Sequence, residues 1–138
     1  RAYLYTDASK KGLGAVLKQG SGESERTIMF LSRSLKGAEP NYSVIEKEAL
    51  AVHWAVRKLK KFLWGTPFTI RTDHKPLSHV FKKKGLDSIS SRITRWVIAL
   101  QDYEFEIEYI PGVKNNVADS LSRLAPDVTE NKDEIIDF

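Results

Sequence analysis

The chain has 138 residues, 41% of them hydrophobic and 10% aromatic, with 22 Lys plus Arg against 18 Asp plus Glu and no cysteine. That composition fits one globular domain with enough apolar material for a core, and it argues against general disorder. The missing cysteines exclude a disulfide scaffold, an iron–sulfur cluster, a thiol nucleophile and any cysteine-based zinc site.

Tyr3, Tyr5 and Asp7 alternate with Leu4 and Thr6, and the small residues of 9–14 turn the chain into Ala15, Val16 and Leu17, which predicts a hairpin. After the glycine-rich loop QGSGES, the apolar stretch 27–32 predicts a third strand. Ser43 followed by Glu46 makes a capping box, and apolar residues then recur at helical spacing to Leu63, where Gly65, Thr66 and Pro67 stop a helix of about six turns. Phe68, Ile70 and Thr72 alternate with Thr69, Arg71 and Asp73 in a fourth strand, and a short helix follows Pro76. Ile93, Trp96, Val97 and Leu100 predict a helix over 90–100, and the strict alternation of 103–109 predicts a fifth strand. Asn115 or Asn116 caps a last short helix with Ala118, Leu121 and Leu124.

This order gives an α/β fold: a five-stranded mixed sheet, its first three strands antiparallel, with helices packed on its faces. A strand reached through a helix is most often parallel to its predecessor, so the fourth strand lies beside the first.

Charge divides the chain. Residues 1–124 carry 21 basic and 13 acidic side chains, whereas 125–138 carry one Lys and five acids. The expectation is a domain over 1–124 and an acidic linker or disordered tail over 125–138, with a weak helix over 132–138 as a variant. Residues 57–95 hold eleven Lys or Arg against Asp73 and Asp87, interleaved with Phe62, Trp64 and Phe81. Such a belt suits a polyanion, and equally a solvated helix face. No apolar run reaches the roughly 20 residues that span a bilayer, and the opening RAYLYTD has no signal-peptide pattern. An intracellular chain is expected. The start inside a strand pattern without Met suggests a piece of something longer.

Four acids stand apart by position. Asp7 and Asp73 end strands one and four at the same sheet edge. Glu48 lies in the row Ile45, Glu48, Val52, Ala55, Leu59, facing the sheet, whereas Glu46 is accounted for by capping. Asp119 sits in the first turn of the last helix. Converging carboxylates repel one another unless a cation answers them, and hard oxygen ligands select Mg²⁺ or Mn²⁺ over zinc. Two such ions about 3.5 to 4 Å apart suit phosphodiester cleavage. Taken singly, each acid also has an ordinary reading as a turn former, a helix N-terminal charge or an ion-pair partner.

The strings TDAS (6–9), GLGAVLKQ (12–19), FLSRSL (30–35), AEPNYSVIEKEALAVHWAV (38–56), FTIRTDHKPL (68–77), RITRW (92–96) and YEFEIEYIPGVKNNVADSLSR (103–123) resemble the ribonuclease H domain of gypsy-class LTR retrotransposon polyproteins. The resemblance covers residues 3–124. It implies that Asp7, Glu48, Asp73 and Asp119 are the catalytic metal ligands, holding two Mg²⁺ or their Mn²⁺ substitutes. It further implies hydrolysis of the RNA strand of an RNA/DNA hybrid during reverse transcription. One ion would activate the attacking water and the other would stabilise the leaving 3′ oxygen. Partners implied are the hybrid, an upstream reverse transcriptase polymerase domain and a downstream integrase in the same polyprotein, with no membrane and a cytoplasmic, virus-like-particle location. Candidate nucleic-acid contacts are Ser9, Thr72, Lys82, Lys83, Lys84, Arg92 and Arg95, each with surface solubility as its plain alternative.

The loop IPGVKNN (110–116) lacks the histidine that many ribonucleases H carry before the final aspartate. His74 is the nearest substitute and reads as a structural cap or hydrogen-bond donor in its turn. His53 and His79 do not make a zinc site. Glu104, Glu106 and Glu108 read as the solvent face of a strand, and Trp54 and Trp96 as anchors. Two other readings compete: a catalytically inactive module that braces the polymerase or serves as a host-captured binding domain, and a transposase or integrase core. The chain order D-E-D-D disfavours the latter.

Overall fold

A computed structural model describes residues 1–20, 22–81, 90–111 and 134–137. In chain order, β1 (Ala2–Ala8), β2 (Gly12–Gln19) and β3 (Arg26–Ser34) form an antiparallel meander. The helix α1 (Val44–Lys58) and the single turn α2 (Lys60–Leu63) lead into β4 (Phe68–Thr72). Then come α3 (Lys75–Val80), α4 (Ser91–Ala99), β5 (Phe105–Tyr109) and β6 (Glu134–Asp137). The strands lie side by side in the order β5-β4-β1-β2-β3-β6, with β4 parallel to both β1 and β5.

Alternation along β1 explains both faces of this sheet. Leu4 joins the main core, where Leu13, Leu31, Phe68 and Ile70 are fully buried with Val52, Leu59 and Leu63. Each large apolar side chain so buried contributes about 1.5–3 kcal/mol. Tyr3 and Tyr5 fall on the opposite face, in a smaller cluster with Val16, Phe30 and Ile110. The turn after β2 needs a glycine: Gly20 has φ +98, and a Cβ there would stand 2.6 Å from the Ser24 carbonyl oxygen.

The capping box expected at the start of α1 is present: Glu46 N–H donates to Ser43 Oγ, and Ser43 N–H donates to the Glu46 carboxylate. Arg57 and Lys58 in its last turn suit the negative end of the helix dipole. The long helix expected through Leu63 is interrupted, because Leu59 sits at φ −99, ψ 21 between α1 and α2. Both Leu59 and Leu63 stay buried across the break, so the apolar periodicity persists although the helix does not. On α4, Ser90 caps through Ile93 N–H, and Ile93, Val97 and Leu100 pack into the same core as α1.

Two expectations change. The fifth strand begins at Phe105, because Tyr103 stands edge-on between Trp64 and Phe68 in the turn before it. The expected five-stranded mixed sheet gains a sixth strand: β6 pairs antiparallel with β3, from Met29↔Asp137 to Ser32↔Glu134. The helix envisaged over 132–138 is therefore a strand at Glu134–Asp137, where the β-branched pair Ile135 and Ile136 suits pairing with an open sheet edge. The last helix with Ala118, Leu121 and Leu124, and the boundary at 124, lie outside the described residues.

Candidate metal and nuclease site

The parallel crossover sets the geometry of the site. Thr6 of β1 is in register with Thr72 of β4, so Asp7 and Asp73 are the next positions outward on neighbouring strands, which run about 4.8 Å apart. Helix α1 packs over β1, and Glu48, in its second turn, reaches the same edge. There its Oε1 accepts the Ala8 N–H at 3.2 Å. One carboxylate oxygen from each of Asp7, Glu48 and Asp73 lies within 4.8 Å of the other two. Asp7 and Glu48 are 4% and 5% exposed, and Asp73 is half-buried. Three of the four acids singled out in the sequence thus converge. Asp119 lies outside the described residues.

The turn after β4 is fixed locally. Thr72 is fully buried, and its Oγ1 accepts the His74 N–H at 3.1 Å while its carbonyl accepts the Ile110 N–H at 2.8 Å. Thr72 therefore positions the segment carrying Asp73, and the structure gives no support to a substrate contact by this side chain. His74 occupies the N-cap position of α3, but its side chain makes no capping bond. Burial lowers its pKa, against the opposing charge of Asp73. His53 stacks on Trp96 at 5.9 Å and His79 is exposed on α3, so among the described residues the metal-type cluster is the carboxylate one.

Beside Glu48 a groove of about 540 Å³ is lined by Ala8, Ser9, Lys10, Lys11, Val44, Lys47 and Glu48. Ser9 lines it, and its Oγ also accepts the N–H groups of Lys11 and Gly12 and so shapes the β1–β2 turn. Lys10, Lys11 and Lys47 went unremarked in the sequence. The available signal was their adjacency to Asp7 and Glu48 in the strings TDASKKG and EKEAL. Arg92 is committed to the fold: Nη1 donates to Glu46 at 2.9 Å and the guanidinium lies 4.0 Å from the Tyr42 ring centre, tying α4 to the start of α1. Arg95 is exposed. Lys82, Lys83 and Lys84 lie outside the described residues.

The donor set suits a hard divalent cation. It is all carboxylate oxygen, two of its members are buried, and it lacks the nitrogen or sulfur that would favour zinc.

Comparison with known proteins agrees with this geometry. Residues 1–103 match the family model described as the RNase H-like domain found in reverse transcriptase. The Pol polyprotein of transposon 412 of Drosophila melanogaster is 39% identical over 130 residues, 94% of this chain and 10% of that protein. That of transposon 297 is 45% identical over 123 residues, 88% of this chain and 11% of the relative. The chain thus spans about a tenth of the length of these relatives. Among solved structures, LC11-RNase H1 in complex with RNA/DNA hybrid superposes with a TM-score of 0.68 at 20% identity, covering 92% of this chain and 97% of that one. The prototype foamy virus protease-reverse transcriptase gives 0.66 at 19% identity, covering 94% of this chain and 21% of that one. These last two likenesses speak to the fold, and the family match with the retroelement relatives speaks to kinship: the chain belongs to the RNase H-like domain family of reverse transcriptases, as it occurs in retroelement Pol polyproteins.

Proposed function

We propose that this chain is a divalent-cation-dependent endoribonuclease that hydrolyses the RNA strand of RNA/DNA hybrids, working inside the cell as the ribonuclease H module of a Pol polyprotein between a polymerase and an integrase. The observation that carries this reading is the meeting of Asp7, Glu48 and Asp73, 66 positions apart at the extremes, within 4.8 Å at one sheet edge. Asp119 completes the set in the family pattern that the sequence follows. Asp7, Glu48 and Asp73 are the side chains that would hold Mg²⁺ or Mn²⁺. Bound there, such ions supply Lewis-acid stabilisation of the charge that develops in phosphodiester hydrolysis.

The chain's own residues do the positioning. The Ala8 N–H orients the Glu48 carboxylate, and the Thr72 hydroxyl fixes the turn that carries Asp73. Lys10, Lys11 and Lys47 line the adjoining groove and favour a phosphate backbone there. Recognition then rests on backbone and 2′-hydroxyl contacts with little base reading. Among the described residues no helix is long and apolar enough to cross a membrane.

The test is cleavage of a labelled RNA/DNA hybrid by the 138-residue chain in Mg²⁺ or Mn²⁺. The expected result is cleavage of the RNA strand that is abolished by EDTA and lost in Glu48→Gln and Asp73→Asn, each shown to be folded. Cleavage that survives EDTA, or that is equal in the variants, overturns the reading. A folded protein that never cleaves, with or without its polymerase domain, would instead favour the bracing role.

A further inference from the structure

Three aromatic residues interleave the basic stretch 57–95, and the fold separates them. Phe81 is 6% exposed and belongs to the main core, whereas Phe62 and Trp64, at the end of α2, are 36% and 50% exposed. Gly65, at φ +77, takes the left-handed conformation that ends this helical turn and leads the chain on toward β4. Trp64 stands edge-on to Tyr103 at 5.0 Å, with the Lys60 Nζ 5.1 Å from the Trp64 ring centre and the Lys61 Nζ 5.6 Å from that of Phe62. Asp102 and Glu104, both exposed, flank Tyr103. An aromatic centre with a rim of both signs is the anatomy of a protein–protein contact. A nucleic-acid strand would suit the rings and the lysines but would meet the two acids.

The start of β1 says which partner fits. Ala2 is in register with Phe68, and Arg1 donates to Thr69 Oγ1 at 2.9 Å and to the Phe68 carbonyl at 3.4 Å. The Phe68 ring lies 6.4 Å from that of Tyr103. A segment leading into β1 therefore arrives beside the patch. From Ala2 to Ala8 the strand then runs about 20 Å toward the carboxylates, so a body docked at its start leaves the metal-type site open. At the exposures given, the Phe62 and Trp64 rings offer on the order of 200 Å², far below the roughly 800 Å² that each side of a stable interface between free partners buries. A tethered neighbour needs less, because its effective concentration is high. This favours a domain joined through β1 over a second copy of the chain.

We infer that Phe62, Trp64 and Tyr103, rimmed by Lys60 and Lys61, form the docking surface for the polymerase domain that precedes this chain in the proposed polyprotein. The complementary surface is an apolar hollow for the Trp64 indole, bordered by carboxylates that meet the two lysines. The inference rests on the proposed function only for the presence of that domain, and it requires neither metal nor cleavage. A module that docks and never cleaves would refute the nuclease reading and leave this one standing.

The test is hydroxyl-radical footprinting, read by mass spectrometry, of the 138-residue chain alone and of the polyprotein fragment that carries the polymerase domain ahead of it. The expected result is that oxidation of Phe62 and Trp64 falls severalfold in the longer protein. Tyr109, which is 46% exposed at the other end of the sheet, should be oxidised equally in both. Trp64→Ala in the longer protein should return Phe62 to its oxidation in the chain alone. Equal oxidation of Phe62 and Trp64 in the two wild-type proteins overturns the inference, as does protection of Phe62 that persists undiminished in Trp64→Ala. Protection that appears in the chain alone, either as its concentration rises or on addition of single-stranded DNA, overturns it too, by assigning the patch to a second copy or to nucleic acid.

Discussion

Replacing Asp73 with Asn should make the metal-free protein more stable, although Asp73 is conceived as a working part of the site. At pH 7.5 the oxygens of Asp7, Glu48 and Asp73 lie within 4.8 Å of one another. Two unit charges at that separation repel by about 3.5 kcal/mol at an effective dielectric constant of 20. Asp73 takes part in two such pairs, for about 7 kcal/mol before screening. Asp73 is only half-buried, and water and salt screen it, so a gain of about 1–2 kcal/mol is the reasonable expectation. For a chain of this size that corresponds to a rise of about 3–8 °C in melting temperature. Divalent cation should reverse the order. At a hundredfold excess over its dissociation constant, Mg²⁺ adds about 2.7 kcal/mol to the wild type, and it should add much less to the variant. Thermal melts followed by circular dichroism in EDTA and in Mg²⁺ supply all four values. If the variant melts at or below the wild type in EDTA, or if Mg²⁺ raises both equally, these acids are not held together against their mutual repulsion for a cation.

Two further predictions concern His53 on α1 and the Arg33–Glu39 ion pair. Burial, helped by the charge of Arg57, lowers the His53 pKa from 6.5 to about 4. The unfolded chain therefore takes up a proton that the folded chain refuses, and stability should decline as pH falls from about 6.5 to about 4. His53→Gln should flatten that decline by about 1–2 kcal/mol after allowance for screening, as read from urea midpoints at pH 7 and pH 5. An unchanged slope would exclude His53 as its source. For Glu39, burial raises the pKa but the Arg33 hydrogen bonds and charge outweigh it, so the net shift is downward from 4.5. The pair's contribution is present above the unfolded pKa and is lost as pH falls through the folded one. Glu39→Gln should cost about 3 kcal/mol at pH 7, because it breaks a bidentate pair around a buried guanidinium, and should cost progressively less below about pH 4 in denaturant titrations. A penalty independent of pH would show that packing, not charge, is what the substitution removes.

What the sequence could disclose follows from how each residue is placed. Asp7 and Asp73 were legible because each ends an alternating strand and the helical crossover makes those strands parallel neighbours. Glu48 was legible because it sits at spacings of three and four within an apolar row. Thr72 was readable as well: it continues the inward set of Phe68 and Ile70, which places it inside the protein. Arg92 could not be sorted, since its commitment to Glu46 and Tyr42 depends on how α4 crosses α1. The break at Leu59 leaves no trace in the periodicity, because no Gly or Pro marks it. The strand β6 was hidden for a different reason. Four residues flanked by charge carry too weak a pattern by themselves, and pairing depends on the open edge of β3, a tertiary fact.

The most direct measurement is the anomalous diffraction of crystals of the 138-residue chain equilibrated with Mn²⁺. The expected result is anomalous density at about 2.1 Å from carboxylate oxygens of Asp7, Glu48 and Asp73 together. Saturating Mn²⁺ that leaves this edge of the sheet without density, or that settles only on acids elsewhere on the surface, would contradict the account.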